Sequence, residues 1–292
     1  MSCTRRSFLR NGGVAVAGAL ARGSLARASF AAGGTAIEPG FQLYTARKLL
    51  EADFRGTLEK VAAIGFREVQ VSPRAGHTPA EIREMLDDSG LVCPSIHLDA
   101  RNSTAAEIDA AKTLGARYVF LSAPMQIFRI DNGKFLGIRD DVTLDEWRGI
   151  SDGLNETGAA FAEAGLVFGY HNHAFEFLPI DSVIPFDLVL DRTDPKLVSI
   201  EIDLGWARVG GADPLVYFER YPGRFPVCHV KDVLADGTFV DPGDGVVDFP
   251  RIFARASQAG LRHYFVEHDT TQDPLATARA GYAYLRATTA SR

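Results

Sequence analysis

A chain of 292 residues, 46% apolar and 23% charged, has the composition of a globular protein and the length for one barrel-sized domain or two smaller ones. Its formal charge is −6, but the first 28 residues hold five Arg and no acid, leaving 26 basic against 37 acidic side chains, or −11, in the rest. A surface that acidic repels phosphate backbones and excludes nucleic acid as a partner.

In chain order, the first element is an address. Thr4-Arg5-Arg6-Ser7-Phe8-Leu9-Arg10 matches the twin-arginine export pattern, a weakly apolar Gly/Ala-rich stretch runs from Gly12 to Ala21, and Ala26-Arg27-Ala28 offers a small-x-small cleavage site. The apolar run is shorter than the roughly 20 residues a membrane span needs, so no stable membrane anchoring is expected. The expected division is a signal peptide at 1–28, a linker at 29–39 and a catalytic domain at 40–292, with a periplasmic or secreted destination. Cys3 leaves with the signal. Cys93 and Cys228 lie in apolar strand-like runs without C-x-x-C spacing, and the expectation is two buried free thiols.

After the linker one pattern recurs: an amphipathic helix, a Gly, then a short apolar strand. The Gly residues are Gly65, Gly90, Gly115, Gly165 and Gly260, and the strands that follow them are 66–71, 91–98, 116–122, 166–171 and 261–267. Further strands are expected at 40–45, 196–203 and 225–231. These near-continuous apolar runs suit parallel strands buried on both faces. Eight of them in one mature chain predict an α/β fold, a single (β/α)8 TIM barrel, with its chemistry at the C-terminal strand ends.

Those strand ends are polar. His171/His173, Glu201/Asp203, His229/Lys231 and Glu267/Asp269 are pairs two residues apart, so an extended chain points both members to one side. Carboxylates buried beside Ile200 and Ile202 would cost several kcal/mol without partners, and a divalent ion removes that cost. Asp203, His229 and Glu267 are the expected ligands. The segment Tyr170-His171-Asn172-His173-Ala174-Phe175-Glu176-Phe177 should supply a fourth: Glu176 for a hard ion such as Mn²⁺, or His171, which suits Zn²⁺. Lys231 is placed to reach a substrate oxygen, His97 and Trp206 to bind substrate, and His77, His263 and Arg208 are read as structural or surface groups.

At these residues the chain resembles the sugar phosphate isomerase/epimerase family of xylose isomerase-like TIM barrels. The resemblance rests on the 170–177 segment, Glu201-Ile202-Asp203 followed by Trp206, His229-Val230-Lys231-Asp232, and Val266-Glu267. It extends to Gln42-Leu43-Tyr44-Thr45-Ala46-Arg47 and to Gly243-Asp244-Gly245-Val246-Val247-Asp248-Phe249, and so spans nearly the whole mature chain. It implies a Glu/Asp/His/Glu site for Mn²⁺, with Mg²⁺, Co²⁺ or Zn²⁺ as alternatives. Asp203, His229 and Glu267 fall on ligand positions; several relatives carry Glu where this chain has Tyr170-His171. A metal-rich endonuclease branch exists, but the −11 charge and missing His ligands set that activity aside.

The implied activity is metal-dependent isomerisation or epimerisation of a sugar by enolisation next to a carbonyl. Glu176 or Glu267 with His173 would move protons, Lys231 would hold oxygen, and His97, His171, Glu201 and Trp206 would line the substrate. Export, acidity and the lack of a Gly-rich phosphate loop point to a non-phosphorylated or keto sugar as the small-molecule partner. Two alternatives stand beside it: a lyase or hydratase on 3-keto-glycosides, and a non-catalytic periplasmic sugar-binding protein.

Overall fold

The computed structural model describes residues 38–131 and 134–290. The expected signal segment, residues 29–37 of the linker and Cys3 lie outside the described residues. Eight strands run parallel and close on themselves in chain order. They are β1 (Pro39–Gln42), β2 (Glu68–Val71), β3 (Val92–His97), β4 (Tyr118–Leu121), β5 (Val167–His171), β6 (Val198–Asp203), β7 (Val227–Val230) and β8 (His263–Val266). This is the expected TIM barrel. The first strand is shorter than expected, because the Gln42 side chain accepts the Tyr44 N–H and turns the chain into a 3₁₀ helix at Leu43–Ala46.

The helices between strands begin and end where local chemistry requires. Capping boxes at Thr78/Glu81 and Thr143/Glu146 start the helices Pro79–Ser89 and Leu144–Glu163 by satisfying their first N–H groups. Two helices stop at Gly90 and Gly115, both left-handed, with φ +68° and +77°. No helix among the described residues is long and apolar enough to cross a membrane.

Period-two alternation then sorts each strand between two environments. Val198, Ile200 and Ile202 of β6, Cys228 and Val230 of β7, and Tyr264 and Val266 of β8 join the main apolar core. Their neighbours face the barrel axis. Low in the barrel these are Tyr118, Phe120, Val227 and Phe265, a separate apolar cluster. Gly40 and Gly169 make room for it. A Cβ on Gly40 would lie 2.5 Å from the Phe265 ring, and one on Gly169 2.5 Å from Phe120 and 2.6 Å from the Ser199 carbonyl oxygen. Above this floor every inward position is polar: Gln42, Gln70, Ser95, His97, His171, Glu201 and His229. Register sets them side by side, His171 pairing with Glu201 and Asp203 with His229.

Two antiparallel hairpins depart from the expected alternation. One, Phe128–Asp131 with Lys134–Ile138, follows β4; the other, Asp232–Val233 with Phe239–Val240, follows β7. Both Cys93 and Cys228 are buried and free, as expected.

Candidate metal centre

The strand-end pairs converge at the barrel mouth. Asp203 Oδ2, His229 Nδ1 and Glu267 Oε2 point to one spot: His229 Nδ1 is 2.6 Å from Glu267 Oε2 and 3.6 Å from Asp203 Oδ2. The Lys231 ammonium, fully enclosed, lies 2.7 Å from Asp203 Oδ2 and 2.9 Å from both Glu267 Oε2 and Asp269 Oδ2. Despite these short approaches, Asp203 Oδ2, His229 Nδ1, Glu267 Oε2 and Asp269 Oδ2 make no aligned hydrogen bond. Three buried or largely buried carboxylates (Asp203, Glu267 and Asp269) thus face one lysine ammonium, and Glu201 adds a fourth acid beside His229. Converging, unaligned ligand atoms with excess negative charge fit a divalent cation.

Electrostatics follow from enclosure. Burial alone would raise the Asp203 and Glu267 carboxyls, but the Lys231 and His229 charges hold both below their ordinary values. Burial would lower the Lys231 ammonium, yet the three acids around it hold it well above. Asp269 goes the other way: burial raises it despite Lys231. His171 is pushed by burial down to about 3, with Glu201 pulling only partly against it, and is therefore a neutral imidazole.

Beneath these groups lies Glu201, with no exposed surface. Its Oε2 is 2.5 Å from His97 Nε2 and 3.0 Å from His171 Nδ1, the latter off hydrogen-bond alignment. Its Oε1 accepts from Gln70 Nε2 at 2.5 Å and lies 3.3 Å from His229 Nε2. Gln70 also donates to Ser95 Oγ, and its Oε1 receives Gln42 Nε2 and His229 Nε2. Glu201 therefore stands below the mouth rather than against substrate.

A family model described as a xylose isomerase-like TIM barrel matches residues 58–288. The chain belongs to the xylose isomerase-like TIM barrel family. It is similar to the inosose dehydratase of Lacticaseibacillus casei, 25% identical over 254 residues that cover 77% of this chain and 84% of that one. Among solved structures it is similar to a sugar phosphate isomerase/epimerase from Parabacteroides distasonis, with TM-score 0.71, 25% identity and coverage of 88% of this chain and 96% of that chain. It also shares its fold with a xylose isomerase-like TIM barrel protein from Mycobacterium smegmatis in complex with magnesium, at TM-score 0.60, 19% identity and coverage of 82% and 89%.

Within this xylose isomerase-like barrel, Glu176 is held away from the ligand cluster. Its Oε1 accepts the Tyr170 hydroxyl at 2.7 Å and its Oε2 the His173 N–H at 2.9 Å. The expectation of Glu176 as a ligand rests on its hard oxygen, reaching the cluster from the other strand parity to His171. Instead, the chain turns into a 3₁₀ helix at Phe175–Phe177. His171 borders the cluster, its Nε2 4.0 Å from Asp203 Oδ2, and converges with His97, Glu201 and His229 as a second group of candidate ligands. His173 stands at the rim, stacked on Phe175 at 5.5 Å and near Trp206 at 5.7 Å. Trp206 and Phe239 meet edge to face at 4.8 Å and together roof the Lys231 ammonium, at 5.3 and 5.5 Å. Lys231 is thus covered, not projecting as expected. His97 lines the mouth but bonds Glu201. His263 is structural, paired with Glu68 on β2.

Sequence reading assigned no role to Gln42, Gln70, Ser95 or Asp232. The first three are small polar interruptions at inward positions of apolar strands, the same parity signal that marked the acids. Asp232 accepts the N–H groups of Val233, Gly243, Gly245 and Val247 at 2.9–3.1 Å, fixing the 243–248 loop beside Lys231.

Proposed function

We propose that this chain is a divalent-metal enzyme that removes the proton next to the carbonyl of a keto sugar or keto polyol and then expels a β-hydroxyl or β-linked substituent. The observation that carries this reading is the convergence of Asp203, His229 and Glu267, with His171 above Glu201, around unaligned ligand atoms beside a buried lysine. When bound, a divalent ion supplies Lewis-acid polarisation of the carbonyl and a neighbouring oxygen. Asp203, His229 and Glu267 would hold it, with His171 Nε2 as the fourth donor.

The other roles follow from position. His173, partly exposed at the rim, is the group that takes the α-proton as its electrons move into the forming enediol system. The Lys231 ammonium, roofed by Trp206 and Phe239, acts through the acids: Asp203, Glu267 and Asp269 keep it protonated, and it in turn keeps Asp203 and Glu267 ionised toward the metal position. Trp206 and Phe239 give an apolar wall for a sugar face and limit water at Lys231. Breaking the β C–O bond, with the departing oxygen taking the proton held by His173, completes a lyase reaction. Returning the proton to the other carbon face completes an epimerisation.

Likeness to inosose dehydratase over 77% of the chain supports elimination. The structural likeness to a sugar phosphate isomerase/epimerase supports epimerisation as the second reading. The test is incubation of Mn²⁺-loaded protein in D₂O with inosose and with 3-keto-glucosides, followed by NMR. The expected result is deuterium at the α-carbon and an unsaturated product; an epimer alone would favour the second reading. No exchange in any keto substrate by metal-loaded protein would overturn both and leave a binding protein.

A further inference from the structure

We infer that Glu201 is a positioning residue that sets the tautomer and ring orientation of two histidine ligands at once, His171 directly and His229 through Gln70. The inference rests on the metal-dependent reading above.

The wiring permits one assignment of hydrogens. An ionised carboxylate only accepts, so any nitrogen bonded to Glu201 must carry the proton. Gln70 Nε2 gives its two hydrogens to Glu201 Oε1 at 2.5 Å and Ser95 Oγ at 2.6 Å. Its Oε1 is therefore an acceptor, shared by Gln42 Nε2 at 2.5 Å and His229 Nε2 at 2.6 Å. His229 must carry hydrogen on Nε2, so Nδ1, which faces Asp203 and Glu267, is the nitrogen that gives up its proton when an ion binds. On the other side, Glu201 Oε2 lies 3.0 Å from His171 Nδ1, off hydrogen-bond alignment; a bare nitrogen there would set two lone pairs against each other, so the proton belongs on Nδ1 and Nε2 faces Asp203 Oδ2.

Two opposite tautomers are thereby imposed from one buried oxygen pair, and their free nitrogens converge. His97 completes the seat: its Nε2 meets Glu201 Oε2, and its ring stacks on His229 at 5.5 Å and 19°. Placement comes from the strand itself. Glu201 is two residues before Asp203, so one β6 face carries a ligand and, beneath it, the group that aims its companions.

The test combines Co²⁺ titration with ¹⁵N NMR of histidine-labelled protein. Wild type is expected to bind one Co²⁺ per chain, with His171 protonated on Nδ1 and His229 on Nε2. Glu201→Gln should weaken Co²⁺ by about 10–100-fold, shift its d–d spectrum and mix the His171 tautomers. Gln70→Leu should disturb the His229 tautomer most, with a smaller effect on His171 through the donor that Glu201 loses, and serves if the first variant does not fold. Wild-type affinity and tautomers in a folded Glu201→Gln protein would overturn the inference while leaving the metal reading intact. Two Co²⁺ per chain would make Glu201 a ligand and also overturn it. No uptake by wild type, matching Asp203→Ala, would remove the metal reading and the inference together.

Discussion

At the scale of single residues, Glu176 and His173 separate ligand from base. Both Glu176 oxygens are held by Tyr170 and the His173 backbone, so Glu176→Gln should retain stoichiometric metal. His173→Ala should also keep its metal but lose about 10²–10⁴-fold in kcat on any substrate that exchanges its α-proton. Metal analysis beside single-turnover kinetics checks both; metal lost in Glu176→Gln would restore that residue as a ligand. The thiols offer a check on burial. Burial pushes the Cys93 thiol up to about 12 and Cys228 well above its ordinary value. Both stay neutral in the folded chain, whereas the unfolded thiols ionise near 9. With residues 1–28 removed, a thiolate-selective reagent at pH 8 should label nothing until denaturant is added. The same shift lowers stability as pH rises from about 9 toward 12, because only the unfolded chain gains the charge.

At the scale of elements, the strands were legible because each is an apolar run bounded by a capped helix and a turn. The ligand-bearing ends of β6, β7 and β8 were legible for the same reason: parity holds while the backbone stays extended, and Asp203, His229 and Glu267 sit at that limit. Beyond it, parity carries no information: a hard oxygen favoured Glu176 over His171, and nothing in the pattern marked the 3₁₀ turn that hands its carboxylate to Tyr170 and the His173 N–H. Lys231 was legible as inward but not as covered, since its roof comes from Phe239 on a hairpin the pattern did not announce. Gln70 was hidden differently, its partners Gln42, Ser95, Glu201 and His229 lying on four other strands. The floor beneath the site depends on absent side chains. Gly169→Ala would force a Cβ against Phe120 and the Ser199 carbonyl, and overpacking of that kind costs about 1–3 kcal/mol. Urea unfolding should show that loss with an unchanged m-value.

At the scale of the whole molecule, the barrel gathers residues from β1 through β8 onto one axis, so no short segment carries the site alone. Charge, length and strand count made the architecture legible, whereas the reaction outcome was not, because elimination and epimerisation share a first proton transfer. The twin-arginine reading of residues 1–28 makes its own prediction. Replacing Arg5 and Arg6 with Lys should strand a reporter fusion in the cytoplasm, as read by cell fractionation; unchanged export would refute that address. The most direct measurement of the central claim is the metal content of purified protein after Mn²⁺ loading and gel filtration, for wild type beside Asp203→Ala/His229→Ala. One equivalent in wild type and none in the folded double variant is the predicted result. Equal content in both, or none in either, would contradict the metal centre on which the catalytic reading stands.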